Sequence, residues 1–290
     1  MTMFKHAVVL IEDKHQNMAA LKRALTCLGQ ELNKLTVYRQ SKIEKSTSTQ
    51  NRDEWQEQQS SAIRECFAGF NYDIELSIVF NLNGFDTQEF GRFLEANQCD
   101  VILKSNTEHK FLNGIFRGKT ERYFVTDCPC PVWIVKPRLW DEDIEVLCCL
   151  DIDDKSEINH KLNVDILASG DQLARILSGQ LHVIDCFFGE VCSMSFEVEK
   201  SGQFKRTTSV QGQHQELIQS YLAGLTLSEH SLHIVSGTPD FAIPDAAARL
   251  NAELVVIGNN ADHGIMDRLF GDTAANLVSN MVCDVLVIKP

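Results

Sequence analysis

The sequence predicts an α/β protein built from two tandem Rossmann-like domains, each a five-stranded parallel sheet with helices on both faces. Three observations lead to this prediction. The segment Cys130–Pro137 reappears as Cys283–Pro290, an offset of 153 residues. Apolar runs of strand length alternate with helical patterns in both halves, as expected for βαβ units. The composition, 44% hydrophobic and 23% charged, is that of a globular protein.

The repeat extends well beyond these two endings. The same offset superposes Asp100–Leu103 on Glu253–Val256. Toward the front the register changes, because Ala7–Glu12 matches Val146–Asp151 at an offset of 139. The second copy therefore carries a longer middle section. We expect a degenerate first domain over residues 1–138 and a second domain over residues 139–290.

The elements of the second copy follow in order from its pattern. A continuous apolar run predicts a buried parallel strand, and each run is followed by helical spacing. Ser201–Gly212 is polar and predicts a loop, and Pro244 is expected to kink or delay the helix that starts at Thr238. The predicted strands are Val146–Leu150, Leu181–Phe187, Ser231–Val235, Leu254–Ile257 and Val285–Ile288. In the first copy, Asp86 is the predicted N-cap of the matching helix.

Charge and hydropathy exclude several classes of partner. The formal net charge of −13 argues against nucleic acid and anionic membranes. No segment approaches the roughly 20 apolar residues of a membrane helix, and no signal peptide is recognisable, so we expect a cytoplasmic protein with reduced cysteines.

Cys128-Pro129-Cys130 lacks the C-x-x-C spacing of zinc and redox sites. His230 and His233 lie three apart on a predicted strand and point to opposite faces, which disfavours a shared metal.

The loop after the fourth strand of the second copy is the most informative segment. In open parallel sheets, ligands bind beyond the carboxyl ends of the strands, where the strand order reverses. Gly258 ends this strand and lets the backbone turn. Gly271 comes just before a predicted helix, whose first amides favour an anion such as phosphate.

The spacing in this loop resembles the universal stress protein family, which has G-x-x-G, nine residues, then G-[ST]. Counting from Gly258, Ala261 stands at the second glycine, Gly271 is in register, and Asp272 occupies the Ser/Thr position. The resemblance covers essentially the whole chain and is closest to the tandem, two-domain UspE-like subgroup. It implies an adenine nucleotide alpha hydrolase-like fold and a stress-response role.

The resemblance also implies an ATP site in the second domain. Asp151 and the backbone of Val183 would meet adenine and ribose, and Gly237 matches the glycine after the third strand. A carboxylate at position 272 would repel a phosphate by about 1–4 kcal/mol at 4 Å, and a bridging Mg²⁺ would reverse that sign. No catalytic or metal-ligating residue is assigned. The residues expected at ribose and phosphates are Gly258, Ala261, Gly271, Asp272 and Thr273.

The matching loop of the first copy is eroded. Ser105 and Glu108 replace the two glycines, and Lys104 interrupts the strand end. Gly118-Lys119-Thr120 survives, but Asn113 stands where a P-loop needs glycine. We therefore expect a structural first domain.

Three functions remain open at this stage. The first is a non-catalytic regulator that binds adenine nucleotide. The second is a module for another small ligand or for protein contacts, with a lost ATP site. The third is a slow ATPase using Asp272, Asp262 or His263.

The fifth strands of the two copies predict how the copies associate. Val132–Val135 and Val285–Ile288 are apolar edge strands, and pairing them within one chain would hide both edges. The chain would then be an intramolecular pseudo-dimer, and further homodimerisation is an open expectation.

Overall fold

A computed structural model of the chain describes residues 4–12, 18–43, 48–105, 119–187, 196–198, 204–206, 210–225, 227, 231–259, 277–278 and 280–290. Strands and helices alternate along most of it. No helix in these ranges is long and apolar enough to cross a bilayer. The strands are β1 (His6–Ile11), β2 (Lys34–Gln40), β3 (Glu75–Asn81), β4 (Val101–Ser105), β5 (Val132–Val135), β6 (Glu145–Leu150), β7 (Gln180–Phe187), β8 (Phe196–Val198), β9 (Phe204–Arg206), β10 (Leu232–Ser236), β11 (Leu254–Gly258) and β12 (Asp284–Ile288). The helices are α1 (Ala19–Leu28), α2 (Thr49–Ala68), α3 (Thr87–Ala96), α4 (Lys119–Thr126), α5 (Glu157–Ile176), α6 (Val210–Tyr221) and α7 (Pro239–Leu250).

The chain divides into two compact units close to the boundary expected from the repeat. The first unit is Met1–Glu142 together with Cys283–Lys289. The second unit is Asp143–Val282 together with Pro290. The last strand, β12, therefore belongs to the first unit.

The first unit contains the predicted five-stranded parallel sheet. Its order is β5-β4-β1-β2-β3, and every neighbouring pair is parallel. The central strand, β1, is buried along its whole length, as its continuous apolar run predicts. Asp86 caps α3 as expected, since its side chain accepts hydrogen bonds from the amides of Gln88 and Glu89.

In the second unit, four parallel strands lie in the order β10-β7-β6-β11. The chain runs from β6 to β7 and β10 in one direction, and then returns to β11 on the other side of β6. Strand order therefore reverses between β6 and β11. This is the position where open α/β sheets bind ligands.

Two local predictions for the second copy are wrong. The polar segment Ser201–Gly212 is not simply a loop, because it contains β9 and the first turn of α6, and β9 pairs antiparallel with β8. Pro244 does not delay α7, which runs unbroken from Pro239. The amide of Ala242 already bonds to the carbonyl of Thr238 at 2.9 Å, so the first turn closes before Pro244 is reached.

The predicted pairing of the two fifth strands is confirmed. β12 pairs antiparallel with β5, with Val285 opposite Ile134 and Val287 opposite Val132. All the paired residues are buried. The edge of the first unit is thus completed by the last strand of the chain, as the need to cover an apolar edge strand requires.

A buried ion pair anchors β12 in the first unit. Asp284 is fully buried, and its Oδ2 lies 2.9 Å from Nε of Arg23 on α1. The indole of Trp133 donates to the same oxygen at 3.0 Å, and the amide of Lys136 donates to Oδ1 at 2.8 Å. Burial raises the pKa of Asp284 to about 6, and the charge of Arg23 opposes that rise. The guanidinium also stacks over Trp140 at 4.0 Å.

Replacing Asp284 with alanine should destabilise the protein strongly. Removing one partner of a buried pair leaves Arg23 uncompensated, and such changes cost about 3–5 kcal/mol. Urea denaturation followed by tryptophan fluorescence measures the loss. Combining Asp284→Ala with Arg23→Met should recover part of it, because no charge is then left buried.

A surface pair provides the matched control. Asp245 forms an exposed pair with Arg249 at 2.9 Å, so Asp245→Ala should change the unfolding free energy by at most about 1 kcal/mol. Equal losses for Asp284→Ala and Asp245→Ala would show that the buried pair does not anchor β12.

Candidate functional site

Three of the predicted site residues lie at the carboxyl edge of the sheet in the second unit. Asp151 directly follows β6, Gly258 is the last residue of β11, and Gly237 directly follows β10. Asp151 and Gly258 therefore flank the reversal of strand order. Gly237 lies three strand spacings from Gly258, roughly 14 Å at the usual spacing of neighbouring strands.

The backbone of Asp151 is held by two buried asparagines of α5. Its carbonyl accepts from Nδ2 of Asn159 at 2.7 Å and of Asn163 at 2.8 Å, and its amide donates to Oδ1 of Asn163 at 3.2 Å. Oδ1 of Asp151 accepts the amides of Asp153 and Asp154 at 3.1 and 3.3 Å. The carboxylate thus shapes the turn that leaves β6. Asp151 is 8% exposed and is therefore a buried acid.

Gly258 is explained by packing against a helix. A Cβ at this position would lie 2.6 Å from Cδ2 of Leu162 and 2.9 Å from Cδ1 of Ile166, both on α5. Contacts this short do not occur in folded proteins. The glycine therefore lets α5 sit close against the end of β11.

Gly237 and Val183 have different surroundings. Gly237 has a φ of 145°, which side chains with L configuration rarely adopt, and its amide donates to the carbonyl of Phe187 at 3.0 Å. Val183 lies in the middle of β7, fully buried, and its amide donates to the carbonyl of Ser231. Its role in binding stays a prediction. The β7 residue nearer the carboxyl edge with a polar side chain is Asp185.

Asp185 and His214 form a buried pair that the sequence analysis did not identify. Nδ1 of His214, on α6, lies 2.5 Å from Oδ2 of Asp185, and Nε2 lies 3.3 Å from Oδ1 of Asp153. Asp185 is 1% exposed and His214 is 6% exposed. An acid inside the apolar run of β7 was the one signal in the sequence.

The electrostatics of this pair depend on burial. Burial raises the pKa of Asp185, while the hydrogen bond and charge of His214 lower it and leave a net rise. Among the described residues, Oδ1 of Asp185 makes no hydrogen bond of normal geometry, although the amide of Ile152 lies close enough to lower the pKa of Asp185. The strand ends therefore present two buried carboxyl groups, Asp151 and Asp185, beside the exposed Asp153, and carboxylates repel a phosphate group.

Several predicted site residues lie outside the described residues. Their positions relative to Asp151 and Gly258 remain predictions. They are Ala261, Gly271, Asp272 and Thr273, the candidate bases Asp262 and His263, and Glu108, Asn113 and Gly118 of the first copy.

The equivalent edge of the first unit has the opposite charge. β1 pairs with β2 as β6 pairs with β7, and the offset of 139 equates Ile11 with Leu150, so their partners Arg39 and Asp185 are equivalent. Arg39 is 6% exposed. Its guanidinium donates to the carbonyls of Ile11 and Gln40 at 3.2 and 2.8 Å.

The helix after β2 supplies a partner for Arg39, as α6 does for Asp185. Nε of Arg39 donates to Oε1 of Gln59, on α2, at 3.0 Å. At the end of β4, Nζ of the buried Lys104 lies 4.8 Å above the ring of Phe124. Oγ of Ser105 accepts the amide of Ala20 at 3.2 Å, near the start of α1. At this edge of the first unit, the side chains of Arg39, Lys104 and Ser105 therefore all contact other groups of the protein.

His233 has a partner that its sequence neighbours did not suggest. His230 lies outside the described residues, but Nε2 of His233 lies 3.1 Å from Nδ1 of His182 on β7. Nε2 of His182 lies 2.8 Å from Oε2 of Glu145. Among the described residues, no group of three or more His, Cys, Asp and Glu is arranged to hold a metal.

The comparisons with known proteins agree with this fold. The model of the universal stress protein family matches residues 3–136 and 172–289. The chain therefore belongs to the universal stress protein family. The second match begins within α5, so β6 and Asp151 lie outside it.

Relatives that match along nearly their whole length carry the name Universal stress protein E. Universal stress protein E of Photorhabdus laumondii subsp. laumondii is 23% identical over 310 residues, covering 100% of this chain and 96% of that protein. The Universal stress protein E homolog of Haemophilus influenzae is 24% identical over 304 residues, covering 99% and 98%.

Solved structures share the architecture. A putative universal stress protein from Pseudomonas aeruginosa superposes with a TM-score of 0.73 at 22% identity, over 100% of this chain and 94% of that one. A universal stress protein from Archaeoglobus fulgidus gives 0.62 at 18% identity, over 97% and 96%. These likenesses confirm the predicted fold class.

Replacing Gly258 with alanine should destabilise the second unit through its contact with α5. Inserting a methyl group into a packed site costs about 1–3 kcal/mol. The double variant Gly258→Ala/Leu162→Ala should lose less than the sum of the two single variants, because the truncated leucine makes room for the new Cβ. Urea denaturation of the four proteins gives the coupling. Strict additivity would mean that the glycine has another purpose.

The contribution of His233 to stability should fall below pH 6.5, whereas the raised pKa of Asp284 acts in the opposite direction below about pH 6. Burial lowers the pKa of His233 from 6.5, so below pH 6.5 the unfolded chain binds more protons than the folded one. The loss begins at pH 6.5 and stops once the lowered folded pKa is passed. Between pH 6.5 and 5, His233→Gln should remove this loss from the change of the urea midpoint with pH. The exposed His160 supplies the control His160→Gln, which should keep the slope; an unchanged slope in His233→Gln would contradict the assignment.

Proposed function

We propose that this chain is a cytoplasmic stress-response protein whose second unit binds an adenine nucleotide, ATP, in a regulatory and non-catalytic role. One observation carries the proposal. Asp151, Asp185 and Gly258 converge at the carboxyl edge of β6, β7 and β11, where the strand order reverses. That edge is where parallel sheets of this topology receive nucleotides.

The chemistry of this edge suits the nucleoside half of the ligand. The exocyclic amine of adenine and the hydroxyls of ribose are neutral donors, and buried carboxylates are strong acceptors. Oδ1 of Asp185 is buried and has no hydrogen bond of normal geometry among the described residues, so it has acceptor capacity for such a donor. The turn at Asp151 is fixed by Asn159 and Asn163 before any ligand arrives, which lowers the entropic cost of binding.

The first unit is proposed to be structural. Arg39 occupies the position of Asp185, and Lys104 and Ser105 make protein contacts at the end of β4. A ligand would have to displace these contacts. We therefore expect one nucleotide per chain.

The acidity of the cluster favours a second candidate, a ligand with few or no phosphates. Asp151, Asp153 and Asp185 lie together at the strand ends, and Asp272 follows in the loop where the family has Ser or Thr. Each carboxylate near a phosphate costs energy unless Mg²⁺ screens it. Adenosine or another uncharged small molecule would avoid that cost.

Titration calorimetry of the full-length protein with ATP, AMP and adenosine, each with and without Mg²⁺, tests both candidates. Saturable binding of ATP at a stoichiometry of one supports the nucleotide site. Binding of adenosine but not ATP supports the second candidate. No heat and no competition for any of the three at millimolar concentration would overturn both.

Replacing Asp272 with serine should strengthen ATP binding. Removing one carboxylate lifts a repulsion of about 1 kcal/mol or more, which corresponds to roughly a five-fold lower Kd. The affinity for adenosine should not change, because no phosphate is present. Asp245→Ser, an exposed acid on α7, is the control and should leave both affinities unaltered. Equal affinities of wild type and Asp272→Ser for ATP would place that residue away from the phosphates.

A further inference from the structure

Three cysteines of the first unit lie together at the amino ends of two adjacent strands. Cys99 comes two residues before β4, and Cys130 comes two residues before β5. Their Sγ atoms are 3.8 Å apart. Cys128 is hydrogen-bonded to Cys130. The sequence analysis set these thiols aside because Cys128-Pro129-Cys130 has the wrong spacing for a C-x-x-C motif, whereas the fold adds Cys99 from the neighbouring strand.

The three thiols form a directional chain of hydrogen bonds. Cys128 donates to Cys130, and Sγ of Cys130 donates to Sγ of Cys99. Sγ of Cys99 in turn donates to the carbonyl of Val101 at 3.2 Å. Cys99 is thus held between the thiol of Cys130 and this carbonyl.

Accessibility distinguishes Cys99 from its two neighbours. Cys128 and Cys130 are 3% and 6% exposed, whereas Cys99 is half-buried. The hydrogen bond to Cys130, followed by burial, raises the pKa of Cys128. The hydrogen bond from Cys128 lowers the pKa of Cys130, but the bond donated to Cys99 and burial outweigh it and give a net rise. The inner thiols stay protonated and shielded, so a solvent oxidant reaches Cys99 first.

The backbone geometry permits a bond between Cys99 and Cys130. β4 and β5 are parallel neighbours, with Ile102 opposite Val132. Continued toward the amino ends, this register puts Cys130 opposite Asp100, one residue beyond Cys99. One strand spacing and one residue rise separate Cα atoms by roughly 6 Å, and disulfides join Cα atoms about 4.4–6.8 Å apart. The sulfurs can therefore close from 3.8 Å to bonding distance by side-chain rotation.

We propose that Cys99 and Cys130 are a peroxide-responsive thiol pair that forms a reversible disulfide. Hydrogen peroxide transfers one oxygen to the sulfur of Cys99, giving a sulfenic acid, and the O–O bond of the peroxide breaks with release of one water. The sulfur of Cys130 then attacks the sulfenic sulfur; the S–S bond forms as the S–O bond breaks, and the proton of Cys130 leaves with the sulfenic hydroxyl as a second water. Two thiols lose two hydrogens, peroxide gains two electrons, and a small-molecule thiol restores the pair.

Peptide mapping of the full-length, reduced protein tests the proposal. The protein is treated with one equivalent of hydrogen peroxide, alkylated, and digested with trypsin without reduction. Residues 93–104 carry Cys99, and residues 123–138 carry both Cys128 and Cys130. The expected product is these two peptides joined, two hydrogens lighter than their sum, and separated again by dithiothreitol.

Three single variants assign the bond. Cys128→Ser should keep the cross-link. Cys130→Ser should abolish the cross-link and leave Cys99 as a sulfenic acid that is not joined to another peptide. Cys66→Ser removes a half-buried cysteine on α2 and should change nothing. The proposal is overturned if the oxidised protein carries a bond within peptide 123–138, if the cross-link survives in Cys130→Ser, or if Cys66 is oxidised before Cys99.

Discussion

The position of β12 depends on the contacts made by the buried carboxylate of Asp284. A buried charge is tolerated only when it is paired and hydrogen-bonded, and Asp284 draws its partners from three parts of the first unit. Arg23 comes from α1, Trp133 from β5, and the amide of Lys136 from the segment after β5. These partners fix the last strand beside β5. The apolar edge that the repeat would otherwise leave open is closed as a result.

The two units carry different side chains at equivalent places on the same arrangement of strands. The equivalent positions on the second strand of each unit hold Arg39 and Asp185, and the following helix supplies Gln59 and His214 as their partners. The guanidinium of Arg39 donates hydrogen bonds to two strand carbonyls and to the side chain of Gln59. The aspartate keeps a buried oxygen that has no hydrogen bond of normal geometry among the described residues. The two units therefore differ in side-chain charge and hydrogen bonding at matching places of the sheet.

The sequence was sufficient for features that follow from periodicity, and insufficient for those that depend on tertiary contacts. Apolar runs predicted the strands, and the duplicated endings predicted the pairing of β5 with β12. Asp185 escaped notice because a single acid in an apolar strand has no local signature, and its partner His214 is 29 residues away. Gly258 was located correctly but interpreted as a turn residue, since only the packed position of Leu162 reveals why a side chain does not fit. Short strands such as β9 have too few residues for alternation to be visible.

The strand exchange has a consequence for the order in which the chain can fold. The first 142 residues leave the ribosome early, yet residues 283–289 are needed to complete their unit. Until residues 283–289 have been synthesised, β5 remains an uncovered edge strand that another nascent chain could extend. Neither half can be cut out at the repeat boundary as an independent protein with the same edges. Completion of the first unit therefore waits for a strand that is synthesised only after residues 143–282.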